Sequence, residues 1–258
     1  MILLRKFVFL NLICLWISVS NLIAVDFNNT QADPIVINGA RPWDSIQNRN
    51  GILFVPNSEF PFSGFVKKEF ENEQVNILLR VSAGKLDHIS RWRENGIPIF
   101  SVGITKGAFN LLDIPTGSDG FDEEVFDGVV KFWFVNGQIM LESTYMNGVR
   151  HGLTRTWYEN GNLKVEESFQ NGLKNGNAKS WFESGKKWMH YTHWEDKRDG
   201  PLVWWYENGQ KRQEGNYKGG MRFGKWSYYQ EDGKLLYRKI FRDGQAISTE
   251  YGNKENNK

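Results

Sequence analysis

Residues 152–175 read Gly-Leu-Thr-Arg-Thr-Trp-Tyr, then Glu-Asn-Gly, then Asn-Leu-Lys-Val-Glu-Glu-Ser-Phe, then Gln-Asn-Gly-Leu-Lys-Asn. Two runs of strand length flank Glu159-Asn160-Gly161. Asn-Gly between such runs is a strong short-range hairpin signal, because glycine takes the positive φ that a tight turn demands. A second pair, Asn171-Gly172, turns the chain into the next segment. The stretch therefore reads as one β-hairpin.

The same hairpin recurs at a step of 24 residues. Gly128, Gly152, Gly176, Gly200 and Gly224 form one column. Gly137, Gly161, Gly185, Gly209 and Gly233 form a second, each four residues after an aromatic: Trp133, Trp157, Trp181, Trp205 and Tyr229. Gly148, Gly172, Gly220 and Gly244 form a third, in which Asp196 replaces the missing glycine. A fixed period of this size signals a repeat array. The expected fold is all-β, an elongated single array of tandem antiparallel hairpins. Its ten strands, at ~4.8 Å each, give a sheet about 48 Å long.

Outside the regular units the pattern is degraded but legible. Trp92-Arg-Glu-Asn95-Gly96 repeats the aromatic and the turn, and Gly64 to Gly84 matches the first and third columns. Between Gly107 and Gly128 an acidic stretch is inserted, residues 108–127, carrying Asp113, Asp119, Asp122, Glu123, Glu124 and Asp127. It lacks the ligand spacing of a calcium loop and reads as a solvated loop. Residues 21–50 are polar and irregular, the array covers 51–247, and 248–258 form a polar tail.

The N-terminus carries an export pattern. Arg5 and Lys6 precede an apolar run from Phe7 to Ile17, and Ser18-Val19-Ser20 offers small residues for a signal peptidase. Residues 1–20 are expected to be a signal peptide and the protein periplasmic, envelope-associated or secreted. An uncleaved anchor is the alternative, since apolar residues continue through Val25. Lipid attachment at Cys14 is a third option, weakened by the bulk of Ile13.

Composition narrows the classes further. Hydrophobic residues make up 40% and charged residues 24%, which fits neither a disordered polyampholyte nor a membrane bundle. The net charge of +2 argues against nucleic acid as a partner. Cys14 is the sole cysteine, so an intrachain disulfide or a cysteine-based zinc site is excluded.

A three-residue Glu-Asn-Gly loop would place Trp157 across from Leu163, with Val165 and Phe169 pointing the same way. Trp92, Trp133, Trp157, Trp181, Trp205 and Tyr229, with the turn glycines, are thus expected to form the repeat core. The opposite face is expected to carry Glu142, Glu166 and Glu214. It would also carry the aromatic row Phe134, Tyr158, Phe182, Trp204, Tyr206 and Tyr228, a candidate binding surface. The alternative is that these rings only cover a single-layer sheet. Phe132 belongs to the same set.

Candidate chemistry is thin. His190-x-x-His193, near Glu195 and Asp196, suggests a metal site. Residues three apart on a strand face opposite ways, however, and His193 falls in a column otherwise aromatic. His88 and His151 stand alone in the sequence. Neither a Ser/His/Asp arrangement, a phosphate loop nor a dinucleotide fingerprint is present, so no catalytic residue, metal or cofactor is expected.

The unit Gly-x-x-x-x-Trp-Tyr-Glu-Asn-Gly-Gln/Asn-x-Lys/Arg-x-Glu, at Gly152–Glu166 and Gly200–Glu214, resembles the MORN-repeat-variant family, the group that includes YwqK-type antitoxins. Phe54-Val-Pro-Asn-Ser-Glu-Phe-Pro-Phe-Ser-Gly64 also looks like that family's start. The resemblance spans about residues 51–247. It implies an all-β array acting through protein contacts, in some members by neutralising a toxin, and elsewhere scaffolding or association with membrane lipid. It brings no catalytic residues. The degraded first units, the acidic insertion and the export signal depart from the family pattern. The sequence reading is thus a non-enzymatic binder of a protein partner, with a cell-envelope scaffold or a lipid- or glycan-binding module as the alternative.

Overall fold

Each 24-residue unit folds as the hairpin its glycine turn requires (Asn-Gly in three units, Ser184-Gly185 and Asp232-Gly233 in the others), and the hairpins join edge to edge. The computed structural model describes residues 34–105 and 122–252. Residues 1–33, which include the expected signal peptide, residues 106–121, which include most of the acidic insertion, and residues 253–258 lie outside the described residues.

The main sheet has 16 strands. Its first half contains β1 (Arg41–Pro42), β4 (Gly64–Glu69), β5 (Val75–Ser82), β6 (Lys85–Trp92), β7 (Pro98–Ile104), β8 (Phe126–Trp133), β9 (Ile139–Met146) and β10 (Val149–Trp157). The second half contains β11 (Leu163–Gln170), β12 (Leu173–Trp181), β13 (Lys187–Trp194), β14 (Lys197–Trp205), β15 (Lys211–Lys218), β16 (Met221–Tyr229), β17 (Leu235–Arg242) and β18 (Gln245–Tyr251). From β4 onward every strand pairs antiparallel with the next in sequence. The sheet is longer than the ten strands expected. It takes in the degraded units and runs past 247, since Ser248–Tyr251 complete β18.

Two turn types alternate along its edges. At the long turn, Tyr158 N–H donates to Asn162 O at 2.9 Å and Gly161 N–H to Tyr158 O at 2.9 Å. At the short turn, Asn171 and Gly172 take φ of 51° and 83°. Both central residues thus have positive φ, the two-residue geometry that matches strand twist. The first glycine column is not in turns. Gly152 sits inside β10 at φ 91°, beside a register shift between Arg150 and Thr154. These glycines form bulges within strands, where any other residue would be strained.

A further bulge follows each long turn and decides which side chain faces where. Trp157 pairs with Leu163, as expected from the loop, but Thr156 pairs with Val165, so Lys164 is skipped. Arg155 then pairs with Glu166, and Trp157, two residues along, shares their face. The tryptophan column therefore lies opposite Val165 and Phe169, not with them. The grouping expected from the sequence is corrected by one extra residue per hairpin.

The two faces are chemically distinct. The ring face holds Leu79, Ile89, Phe100, Val102 and Val130 in its first half, and Leu202, Trp226 and Phe241 in its second. The charge face holds the cross-strand pairs Lys131–Glu142, Glu142–Arg155, Arg155–Glu166 and Glu166–Lys179.

From residue 34 onward the N-terminal segment, expected to be irregular from 21 to 50, forms short elements that close one end of the sheet. A short helix, α1 (Pro34–Gly39), and the residue that follows it place Val36 and Ala40 against Leu78 and Trp92 on the charge face. The hairpin of β2 (Gln47–Arg49) and β3 (Ile52–Phe54) puts Leu53 into the ring-face core, with Trp43, Ile46 and Phe62 packed around it. The first strands are thereby covered on both sides.

Candidate binding face

Phe134, Tyr158, Phe182 and Tyr206 repeat at the 24-residue step, one residue beyond each tryptophan of the motif. Each begins a long turn, and together they line one edge of the ring face. The skipped residue of each bulge points to the same side. Lys164 Nζ lies 5.3 Å from the Tyr158 ring centroid, and Trp188 lies 6.0 Å from Phe182 and 6.4 Å from Trp204. Arg212 covers Trp204 at 4.4 Å and Tyr206 at 5.7 Å.

Of the aromatic row expected from sequence, Tyr158, Phe182, Trp204 and Tyr206 come together here. Phe134 is half-buried at the start of the row. Tyr228 sits deeper, stacked on Tyr237 at 4.6 Å beside the buried Trp226. Phe132 is buried in the core. The carboxylates Glu142, Glu166 and Glu214, expected beside these rings, lie on the opposite face for the reason given above. Lys164, Trp188 and Arg212 were missed because the column 164–188–212 mixes residue types, and only the bulge aims it at the rings.

Two of these rings have a second task. Tyr158 Oη donates to Trp181 O at 2.9 Å, and Tyr206 Oη to Tyr229 O at 3.0 Å, tying each unit to the next. The turn asparagines do the same. Asn160 Oδ1 accepts from Asn162 N–H at 2.9 Å, while its Nδ2 donates to Glu183 O at 2.9 Å. Asn136 and Asn208 repeat that second bond to Glu159 and Glu231 at 2.7 Å. The Glu-Asn-Gly motif thus closes its own turn and holds the neighbouring one. Phe182 has no hydroxyl to give, and the buried indole N–H of Trp204 finds no hydrogen-bond partner among the described residues.

The charge face is an alternating ladder. Lys131 Nζ is 3.1 Å from Glu142, Arg155 3.5 Å from Glu142 and 2.9 Å from Glu166, and Lys179 3.3 Å from Glu166. The Arg155 hydrogen bond, followed by that of Lys179, holds the Glu166 carboxyl below its ordinary range. From Lys131 to Lys179 the charges of this ladder satisfy one another, which leaves that stretch little to offer a partner.

His190 and His193 fall on opposite faces. His190 pairs with Lys179 on the charge face and His193 with Arg198 on the ring face. Burial first, then neighbouring cations, lowers the pKa of both imidazoles. Among the described residues no group of three metal-ligating side chains converges.

His88, isolated in sequence, is not isolated in space. Its Nε2 lies 2.9 Å from Ser101 Oγ and 3.2 Å from Ser90 Oγ, and the two hydroxyls are 3.0 Å apart. All three side chains are buried. Burial pushes the imidazole pKa down to about 3, with Arg80 adding to the effect and Asp87 opposing it. The ring is neutral at ordinary pH and serves as a hydrogen-bonding partner in the sheet interior.

Three stretches, residues 126–147, 150–171 and 198–218, match the MORN repeat variant. They coincide with the hairpins β8–β9, β10–β11 and β14–β15. No curated protein matches the chain. Among the described residues no helix is long and apolar enough to cross a membrane.

Proposed function

We propose that the chain is an exported, non-enzymatic repeat protein that binds another protein along the ring face. The observation that carries this reading is the row Tyr158, Phe182, Trp188, Trp204 and Tyr206. It is half-buried and lines one edge of the sheet, with Lys164 and Arg212 against it. Large amphipathic rings and arginines held in place are the usual anchors of a protein interface. The antitoxin resemblance adds a toxin as a kind of partner, with immunity as the role. Arg5, Lys6 and the apolar run to Ile17 support export. A glycan is less well served, because Arg212 occupies the Trp204 ring face on which a sugar would stack.

The test compares proteins captured from an envelope fraction by the full chain and two variants. Phe182→Ala removes a ring that makes no bond to the next unit, and it should lose a captured partner while the melting temperature holds. Tyr158→Phe with Tyr206→Phe keeps the rings and removes their bonds to Trp181 and Tyr229. It should melt lower yet keep the partner. Identical capture by wild type and Phe182→Ala would refute the reading.

A further inference from the structure

The other edge of the ring face, beside the short turns, carries a different pattern. Cation and ring stand directly opposite across the ladder: Arg150 with Tyr145, Lys174 with Phe169, Arg198 with His193 and Arg222 with Tyr217. The guanidiniums lie over rings. Arg198 is 5.1 Å from Tyr191 and 5.5 Å from Tyr217, and Arg222 is 4.6 Å from Trp226 and 5.4 Å from Phe241.

The earlier cations are neutralised and the later ones are not. Arg150 pairs with Glu123, and Lys174 Nζ with Glu167 at 2.8 Å. The residues 24 and 48 positions beyond Glu167 are Tyr191 and Gly215, so that carboxylate is lost in the later units. Arg198 and Arg222 donate to phenols instead, to Tyr217 Oη at 3.4 Å and Tyr228 Oη at 2.9 Å. The acids nearest Arg198 in sequence serve backbone: Asp196 accepts from Lys174 N–H at 2.7 Å and Asp199 from Gly219 N–H at 2.8 Å. Arg212 and Lys239 also lie over rings on this face. Among the described residues, none of these four cations is in an ion pair with a carboxylate. Glu214 and Glu250 belong to the charge face.

We infer that the ring face of β14–β18 binds an acidic segment of a protein partner, with Arg198 and Arg222 each taking a carboxylate. This rests on the protein-binding reading above and names the partner's chemistry. The two arginines are two strands apart, about 9.6 Å at ordinary strand spacing. Stacked guanidiniums are pre-organised, and their unused N–H groups match carboxylate oxygens two by two. A single-stranded nucleic acid would need open rings for its bases. Here Trp226 is fully buried and the planes of Trp204 and Tyr217 already have cations over them.

The test uses the full chain and fluorescein-labelled decaglutamate, followed by fluorescence anisotropy at low salt. Wild type should bind. Arg198→Gln with Arg222→Gln should weaken binding at least about tenfold, the loss of one good charge-assisted contact. Arg198→Lys with Arg222→Lys should fall between. Lys211→Gln with Lys225→Gln removes equal charge from the other face and should change binding less than about twofold. Circular dichroism melts confirm that each variant folds. Absence of wild-type binding, or equal loss in the two Gln pairs, would overturn the inference. So would tighter, Arg-dependent binding of decathymidylate or phosphatidylserine vesicles. A partner lost by Phe182→Ala but retained by the Arg198/Arg222 pair would sink this inference and leave the ring-face reading standing. Decaglutamate binding by a chain that captures no partner would do the reverse.

Discussion

Trp226 lies against Gly215, so closely that a Cβ added to the glycine would stand 2.6 Å from the indole Cγ. The indole Nε1 donates to Asn216 O at 3.1 Å, and the ring meets Tyr217 edge-on at 5.1 Å. Other units place smaller residues in the Trp226 column, among them Ala178 opposite Tyr191. Bulk is traded across the rung, large against small.

Gly215→Ala should therefore destabilise the protein by about 2 kcal/mol, the usual cost of overfilling a packed site. On a Trp226→Leu background the same substitution should cost much less. Urea unfolding of the two single variants and the double variant measures the coupling. Additive losses would show that the indole does not exclude the methyl group.

Asn160→Asp keeps the oxygen that accepts from Asn162 N–H and removes one of the two donors to Glu183 O, leaving the bond from Asn162 Nδ2 at 2.8 Å. The expected loss is about 1 kcal/mol, the worth of one hydrogen bond. Amide exchange should quicken in the turn Glu183–Gly185, in the next unit, more than in the variant's own turn. Exchange confined to residues 158–162 would contradict the inter-unit link.

Glu195 and Asp196 form a short turn with φ of 47° and 63°, where the two preceding units use Asn147-Gly148 and Asn171-Gly172. Asparagine accepts the left-handed region more readily than glutamate. Glu195→Asn should stabilise by roughly 0.5 kcal/mol, seen as a higher melting temperature. Asp196 should be left in place, because its carboxylate caps Lys174 N–H.

The buried His88 is neutral in the fold and protonates freely once unfolded. Its folded pKa is depressed from 6.5 to about 3, so between those values the unfolded chain binds the extra proton. Stability then falls as pH drops below 6.5, by up to about 1.4 kcal/mol per unit. His88→Gln should remove that slope in urea midpoints taken from pH 7 to pH 5. An unchanged slope would assign it to other groups.

The period, both turn positions and the all-β array were readable because each rests on local chemistry repeated at fixed spacing. The faces were not. Trp157 was placed with Phe169 because strict alternation was carried past Lys164, and whether a residue is skipped after a turn depends on how the ladder closes. Tyr158, Phe182 and Tyr206 stood out as one column, whereas Trp188 and Arg212 share theirs with a lysine. The Ser90–Ser101–His88 group was invisible because its members meet only through the pairing of β6 with β7. The N-terminal closure by α1 had no periodic signature at all.

The bonds from Asn136, Asn160 and Asn208 each span 23 residues. Removing residues 152–175 would therefore rejoin chemically equivalent partners. Length becomes a dial: each unit cut out or duplicated moves the two ends closer or farther by about 10 Å, and the molecule can serve as a ruler whose marks are hairpins.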